Sequence, residues 1–247
     1  MALSRCPGQE RRFWRSDDTS EEPCPHCGNT IEFWKDDPRR RCISCGQLVR
    51  NPSFDIGCAK WCKFAPQCIG IPEAQLKNET LCEDLIKEMQ KVFGDDRNRI
   101  RHTFAVLDYA ESLLKHQKAD PLVVKAAAVL HDIGIIEAEK KRGSSAAEFQ
   151  ELEGPPIARR ILEQAGVDAE QIDHICNIIG DHHSAKTVDS IEFRIIWDAD
   201  NLVNIFEGLA GREADKDKLK KLIAGTFKTE AGRSQAEKLL THATKKS

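Results

Sequence analysis

The stretch Pro121-Leu122-Val123-Val124-Lys125-Ala126-Ala127-Ala128-Val129-Leu130-His131-Asp132-Ile133-Gly134 decides how this chain folds. Asp120 is a helix-capping residue, Pro121 suits a first turn, and Gly134 follows the end. Two metal-ligand side chains, His131 and Asp132, therefore stand where a helix should bury only hydrocarbon. Burying an imidazole and a carboxylate is costly unless both are paired, so the helix end calls for a compensating charge, most simply a divalent cation. A solvated helix end, with His131 on the helix dipole, would explain the pair taken alone.

Polar residues on other apolar faces favour a shared site. His102 begins the stripe His102, Val106, Tyr109, Leu113, which turns its ring toward a core. Asp200 falls on the stripe Phe193, Ile196, Trp197, Asp200, Val203, while Asp198 falls on the competing stripe Ile191, Ile195, Asp198, Leu202, Ile205. Periodicity alone leaves both open. His182 and His183 end a segment whose apolar residues are Ile172, Ile175, Ile178 and Ile179, and either imidazole could continue its buried side. A set of this kind, rich in His with carboxylates, suits Mn, Fe, Co, Ni or Zn with open positions for water.

The surrounding sequence parses into helices from caps and breakers. Expected helices run over 73–93, 98–118, 121–133, 154–165, 168–183 and 190–209, with two short ones in the Lys-rich tail. The polar stretch 137–151 reads as a loop or short surface helix, and Gly154-Pro155-Pro156 as a helix opening. Strand-like alternation is absent here, so residues 73–247 are expected to be a mainly α bundle. Two further regions precede it: a polar arm over 1–22 and a cysteine-rich module over 23–72, with the boundary near Gly70-Ile71-Pro72.

At 247 residues, 40% hydrophobic and 31% charged, the chain can bury one sizeable core plus a small module. A formal net charge of -3 gives no global signature of nucleic-acid binding. The sequence lacks an apolar run long enough to span a membrane, and Met1 to Cys6 lacks the hydrophobic segment of a secretion signal, so a cytoplasmic protein is expected.

Eight of the ten cysteines lie between Cys6 and Cys68 in short-spaced pairs, which in such a compartment favours metal thiolates over disulfides. Cys24-Pro25-His26-Cys27-Gly28 and Cys42-Ile43-Ser44-Cys45-Gly46 form two Cys-x-x-Cys-Gly knuckles around the strand-like Thr30-Ile31-Glu32-Phe33-Trp34. Four thiolates suit tetrahedral zinc, and the segment resembles a zinc ribbon. Cys58, Cys62 and Cys68 could hold a second zinc or an iron–sulfur cluster with a fourth ligand from elsewhere, or could pack a short helix. Arg39, Arg40 and Arg41 beside Phe33 and Trp34 would suit nucleic-acid contact, but Asp36 and Asp37 adjoin them; structural support or docking to a protein or nucleic acid is the expected role.

The order His102, His131-Asp132 and a distant aspartate in Trp197-Asp198-Ala199-Asp200-Asn201-Leu202 resembles the HD-domain superfamily of metal-dependent phosphohydrolases. The tail Phe227-Lys228-Thr229-Glu230-Ala231-Gly232-Arg233 is similar to that of many small bacterial members. The resemblance implies a metal held by His102, His131, Asp132 and Asp200, with Asp132 also orienting the attacking water. It selects Asp200 over Asp198 through an Ala-Asp-x-Leu motif, and His182 over His183 for a second metal. Where such members carry a His-Gly-Pro turn, this chain has Glu153-Gly154-Pro155. Glu153 could ligate a second ion; the loss of the histidine favours one ion, with Glu153 as a helix N-cap.

The family's metals imply Mn, Fe, Co, Ni or Mg in this site, and its substrates imply a small phosphate ester, a nucleotide first among them. Arg97, Arg101, Lys140, Arg142 and Lys186 flank the ligands in sequence and are candidates for phosphate binding. Two other classes fit less of the sequence: a nucleotide-sensing regulator that docks through the ribbon, and a di-iron oxygenase.

Overall fold

The computed structural model describes residues 19–34, 37, 39–53, 72–209 and 216–243. It divides into two compact units, Met1–Ile56 and Gly57–Ser247. The expected boundary at residues 70–71 and the cluster Cys58, Cys62, Cys68 lie outside the described residues.

The first unit is a pair of antiparallel hairpins. Strands β1 (Thr19–Pro23) and β2 (Thr30–Trp34) pair with Thr19 opposite Trp34 and Pro23 opposite Thr30; β3 (Arg39–Arg41) and β4 (Leu48–Arg50) pair with Arg40 opposite Val49. The polar arm expected over 1–22 therefore stops short, because Thr19–Glu22 have a ladder partner in β2 for their backbone groups. Alternation along β2 turns Ile31 and Phe33 inward, where they pack with Cys24, Cys42 and Val49.

The second unit is helical: α1 (Glu73–Phe93), α2 (Arg97–Leu114), α3 (Pro121–Leu130), α4 (Ile135–Arg142), α5 (Ala147–Gln164), α6 (Ala169–Asp181), α7 (Ile191–Leu209), α8 (Lys216–Thr226) and α9 (Glu230–Ala243). Aspartates start three of them: Asp96 accepts from Arg99 N, Asp120 from Leu122 N and Asp168 from Glu170 N. Helix α3 is the hub, packed against α1, α2, α6 and α7, and its residues from Val123 to Leu130 are all buried. A helix apolar on every side can only be satisfied in the middle of a bundle. Its one charged member, Lys125, is also buried and pairs with Glu79 of α1 and with Glu111 of α2 at 3.2 Å. Removing either carboxylate would leave the ammonium poorly compensated.

Two expectations about 137–164 are corrected. The stretch read as a loop or short helix holds the short helix α4 and also the first turns of α5, and Gly154-Pro155-Pro156 lies inside α5 instead of opening it. Glu153 is consequently not a helix N-cap. The prolines withhold two helical N–H donors, an interruption that ordinarily weakens a helix by about 3 kcal/mol. Tertiary packing compensates. A Cβ on Gly134 would stand 2.5 Å from Gly154 N, and one on Gly154 would stand 2.9 Å from Ile179 Cγ2. The turn after His131-Asp132 thus rests directly on the backbone of α5, and the glycines are needed for that approach.

Candidate metal centres

In the first unit the two knuckles are near-copies. Gly28 N donates to Cys24 O and Gly46 N to Cys42 O, at 2.8 and 2.9 Å, and both glycines have φ of 74°. Cys24 Sγ lies 3.7 Å from Cys45 Sγ, and Cys27 Sγ 3.6 Å from Cys42 Sγ. All four sulfurs fall within 4.8 Å of one another. Sulfurs tetrahedrally placed about 2.3 Å from zinc would be separated by ~3.8 Å, so the cluster has the size of a zinc–tetrathiolate site. Burial pushes the Cys24 thiol up and Cys45 up to about 11, while Cys42, despite its burial, is drawn to about 7 by the amides of Cys45 and Ser44 and the neighbouring thiols. Ionising all four together needs a cation among them. The cluster is consistent with a zinc-ribbon-like module. Arg40 and Arg41 are committed within it: Arg40 Nη1 donates to Glu32 O at 2.5 Å, its Nε lies 3.4 Å from Asp37, and Arg41 donates to Gly46 O at 2.6 Å.

In the helical unit, His131 is the C-cap of α3 and His182 the C-cap of α6. Each ring turns back on its own helix. His131 Nδ1 lies 2.9 Å from Ala128 O and His182 Nδ1 lies 2.6 Å from Ile179 O, three residues upstream in both cases. A carbonyl can only accept, so Nδ1 carries the proton and the Nε2 lone pair is the free one. His182 Nε2 is buried and has no hydrogen-bond partner. It faces Asp132 Oδ1 at 3.5 Å, whereas Asp132 Oδ2 lies 3.4 Å from His131 Nε2 and 3.7 Å from His102 Nε2.

Helix α2 brings His102 and α7 brings Asp200 to the same point. His102 Nε2 is 3.1 Å from Asp200 Oδ1 and 3.4 Å from His131 Nε2, and Asn204 Nδ2, one turn along, donates to Asp200 Oδ1 at 2.9 Å. Two groups of possible ligands result: His102, His131 and Asp200, and Asp132, His182 and His183, with donor atoms within 4.8 Å in each. Asp132 stands between the two, one oxygen toward each. Asp198, two residues from Asp200, points elsewhere, accepting from Lys228 N, Thr229 N and Thr229 Oγ1 to fix the turn before α9.

The electrostatics of the cluster suit a cation. Burial alone would pull His102 down, but Asp200, Glu207 and Asp132 raise it to about 10, and Asp132 likewise raises His182. Burial alone would raise Asp132, yet His131 and His182 hold it well below the usual carboxylate range. His183 is different: burial and the neighbouring His182 lower it to about 4, leaving a neutral ring. The carboxylates thus demand positive charge, which bound protons supply in part and a divalent ion would supply better. Three converging Nε2 atoms, that of His182 buried without a hydrogen-bond partner, and two converging carboxylates fit such an ion.

The loop carrying His182 and His183 is held from outside. Glu151 Oε1 accepts from His183 N at 3.0 Å and Ser184 N at 2.7 Å, and Asp181 Oδ2 accepts from Thr187 N, Thr187 Oγ1 and Val188 N. Between these anchors Ala185 adopts a φ of 50°, a conformation disfavoured for a residue with a Cβ.

Other expected residues lie apart. Glu153 joins neither group; its carboxylate meets Lys141 at 2.7 Å and Arg142 at 3.8 Å. A cleft of about 320 Å³ opens over the cluster, and among the described residues Asn98, Arg99, Gln150 and Asn204 line it together with His102, Asp132, His183 and Asp200. Arg97, Arg101, Lys140, Arg142 and Lys186 do not line it; Lys186 lies 3.9 Å from Glu151 and Arg142 covers the Phe149 ring. Helical phase explains the miss. Asn98 and Arg99 precede His102 by four and three positions and share its face, as 97 and 101 do not.

The helical bundle gathers histidines and aspartates from several helices beneath one open cleft, in groups that could hold a metal ion. Residues 99–205 match the HD domain family model. The structure is similar to that of a predicted HD superfamily hydrolase from an uncultured Thermotogales bacterium, with 26% identity and a TM-score of 0.50 over 66% of this chain and 86% of that one. YpgQ of Bacillus subtilis, solved in complex with ADP, aligns at 22% identity and a TM-score of 0.48 over 68% of this chain and 94% of that one. An HD-superfamily hydrolase from Bacillus thuringiensis aligns at 24% and 0.46 over 65% and 89%. No curated protein gives a significant match. Among the described residues, no helix is long and apolar enough to cross a membrane.

Proposed function

We propose that the protein is a metal-dependent phosphohydrolase that cleaves a small phosphate ester with water, residues 73–247 forming the catalytic unit. The observation that carries this reading is the pair of buried imidazoles, His131 and His182, locked by backbone carbonyls so that both Nε2 atoms face Asp132 beneath an open cleft. Locked ligands with free lone pairs are what a metal site needs before the ion arrives. Similarity to the Thermotogales hydrolase supports hydrolysis as the reaction class.

In this reading His102, His131 and Asp200 hold one ion, and Asp132, His182 and His183 a second. The second group supports two ions although Glu153 is committed to Lys141. His-rich ligation favours Mn, Fe, Co or Ni over Mg. When bound, such ions polarise phosphoryl oxygens and allow water to be activated near neutral pH. Asp132, a hydrogen-bond acceptor between the two groups and open to the cleft, orients the attacking water. Asn204 keeps Asp200 in place, and Arg99 is the guanidinium on the cleft wall.

The ion of the cysteine cluster is read as zinc, with the module as structural support or a docking surface. Thiolate ligation in place of disulfides supports a cytoplasmic setting. The test is a panel of phosphate esters assayed with Mn, Co, Ni or Mg, alongside metal analysis. Metal-dependent release of phosphate that is lost in Asp132→Ala is the expected result; activity that survives this substitution sinks the reading.

A further inference from the structure

Apart from the residues of the two ligand groups, the cleft is walled by Asn98, Arg99, Gln150 and Asn204: three carboxamides and one guanidinium. Among the described lining residues there is no Phe, Tyr, Trp, Leu, Ile, Val or Met, and the imidazoles present belong to the ligand groups. Small-molecule sites are ordinarily lined mostly by apolar and aromatic side chains, and unpaired bases are ordinarily held on aromatic faces. This cleft offers hydrogen bonds instead. Its volume of about 320 Å³, at the low end for ligand sites, must also admit the ions and water.

We propose that the cleft takes a small, hydroxyl-rich phosphate monoester, a sugar or polyol phosphate, with Arg99 on the phosphate and the carboxamides on the hydroxyls, and that no nucleobase is recognised. The proposal rests on the hydrolase reading of the same site. Arg99 is pre-aimed: its Nη2 meets Glu139 at 2.6 Å and its Nη1 meets Asp96 at 3.2 Å, fixing the guanidinium between the start of α2 and α4. Two carboxylates use only part of its five N–H donors, so others remain for a phosphoryl oxygen. Two of the three carboxamides are held in a similar manner. Asn204 donates to Asp200 and keeps its carbonyl oxygen as an acceptor, while Gln150 donates to Ser145 O at 2.6 Å. A carboxamide both donates and accepts, which matches the double role of a hydroxyl.

The proposal is tested by calorimetric binding to the metal-loaded full chain, with ribose 5-phosphate, AMP, adenosine and butyl phosphate as probes. Ribose 5-phosphate and AMP are expected to bind within about threefold of each other, adenosine not measurably, and butyl phosphate about tenfold more weakly than ribose 5-phosphate. AMP binding about tenfold or more tightly than ribose 5-phosphate, or butyl phosphate equalling it, overturns the proposal. Arg99→Gln should weaken every phosphorylated probe about tenfold, while Glu139→Gln, which loosens the brace but keeps the guanidinium, should change them by less than about threefold. Equal losses in the two variants would reduce Arg99 to a structural brace and remove it from the phosphate. Because the readout is binding, a protein that ranks the probes as expected but hydrolyses none of them overturns only the hydrolase reading.

Discussion

The cysteine cluster and the histidine–aspartate cluster are both poised for metal, but they are assembled differently. The four cysteines span residues 24 to 45 and are brought together by two knuckles whose geometry is set within five residues each. The six residues of the helical site span 102 to 200 and arrive from the ends or faces of α2, α3, α6 and α7 and the turns that follow. A local site depends on its ion for its fold. A convergent site depends on the fold for its ion.

The largest test of that contrast is Cys42→Ser. Structural zinc contributes roughly 10–16 kcal/mol of apparent binding energy to small metal-folded modules, so loss of one thiolate should unfold the hairpins while the helical unit keeps its melting transition. Hydrogen exchange with metal stoichiometry reads both, and hairpins that stay protected without metal would break the comparison. Asp132→Ala works in reverse. It should lower activity at least about a thousandfold, because several kcal/mol of transition-state stabilisation depend on the ligands it joins, with helicity by circular dichroism unchanged.

Gly134→Ala addresses the support beneath the convergent site. Its methyl would press on Gly154 and Gln150, with an expected loss of about 1–3 kcal/mol in denaturant unfolding; an unchanged midpoint would show that the turn can move away. Glu151→Gln touches no ligand side chain. By loosening the His183 and Ser184 amides it should weaken metal affinity or activity about 10–100-fold, and full activity would make that anchor dispensable. Glu153→Ala should do least. Its partner Lys141 is exposed and can be solvated once freed, so the metal count and the unfolding midpoint should both stay unchanged.

Much of the helical unit is legible in the sequence because its signals are local. Asp120 and Asp168 cap where their sequences indicate, and the apolar run at 121–130 announces the central helix. Gly154-Pro155-Pro156 misleads for a physical reason. Proline after glycine reads as a helix start, yet here the glycine serves close approach to Gly134, and packing sustains α5 through the interruption. Arg97 and Arg101 flank the ligands in sequence but it is Arg99 that lines the cleft, since nearness in sequence to a ligand is not nearness on a helix face.

The helical class, the two knuckles and the pool of candidate ligands are legible along the chain, because capping, periodicity and short spacing are set by sequence neighbours. A motif resemblance favours Asp200 over Asp198, but helix packing alone shows that Asp200 meets His102, that His183 joins His182 and that Glu153 turns to Lys141. Each of these depends on which way a helix end points, and that is fixed by the helices packed against it.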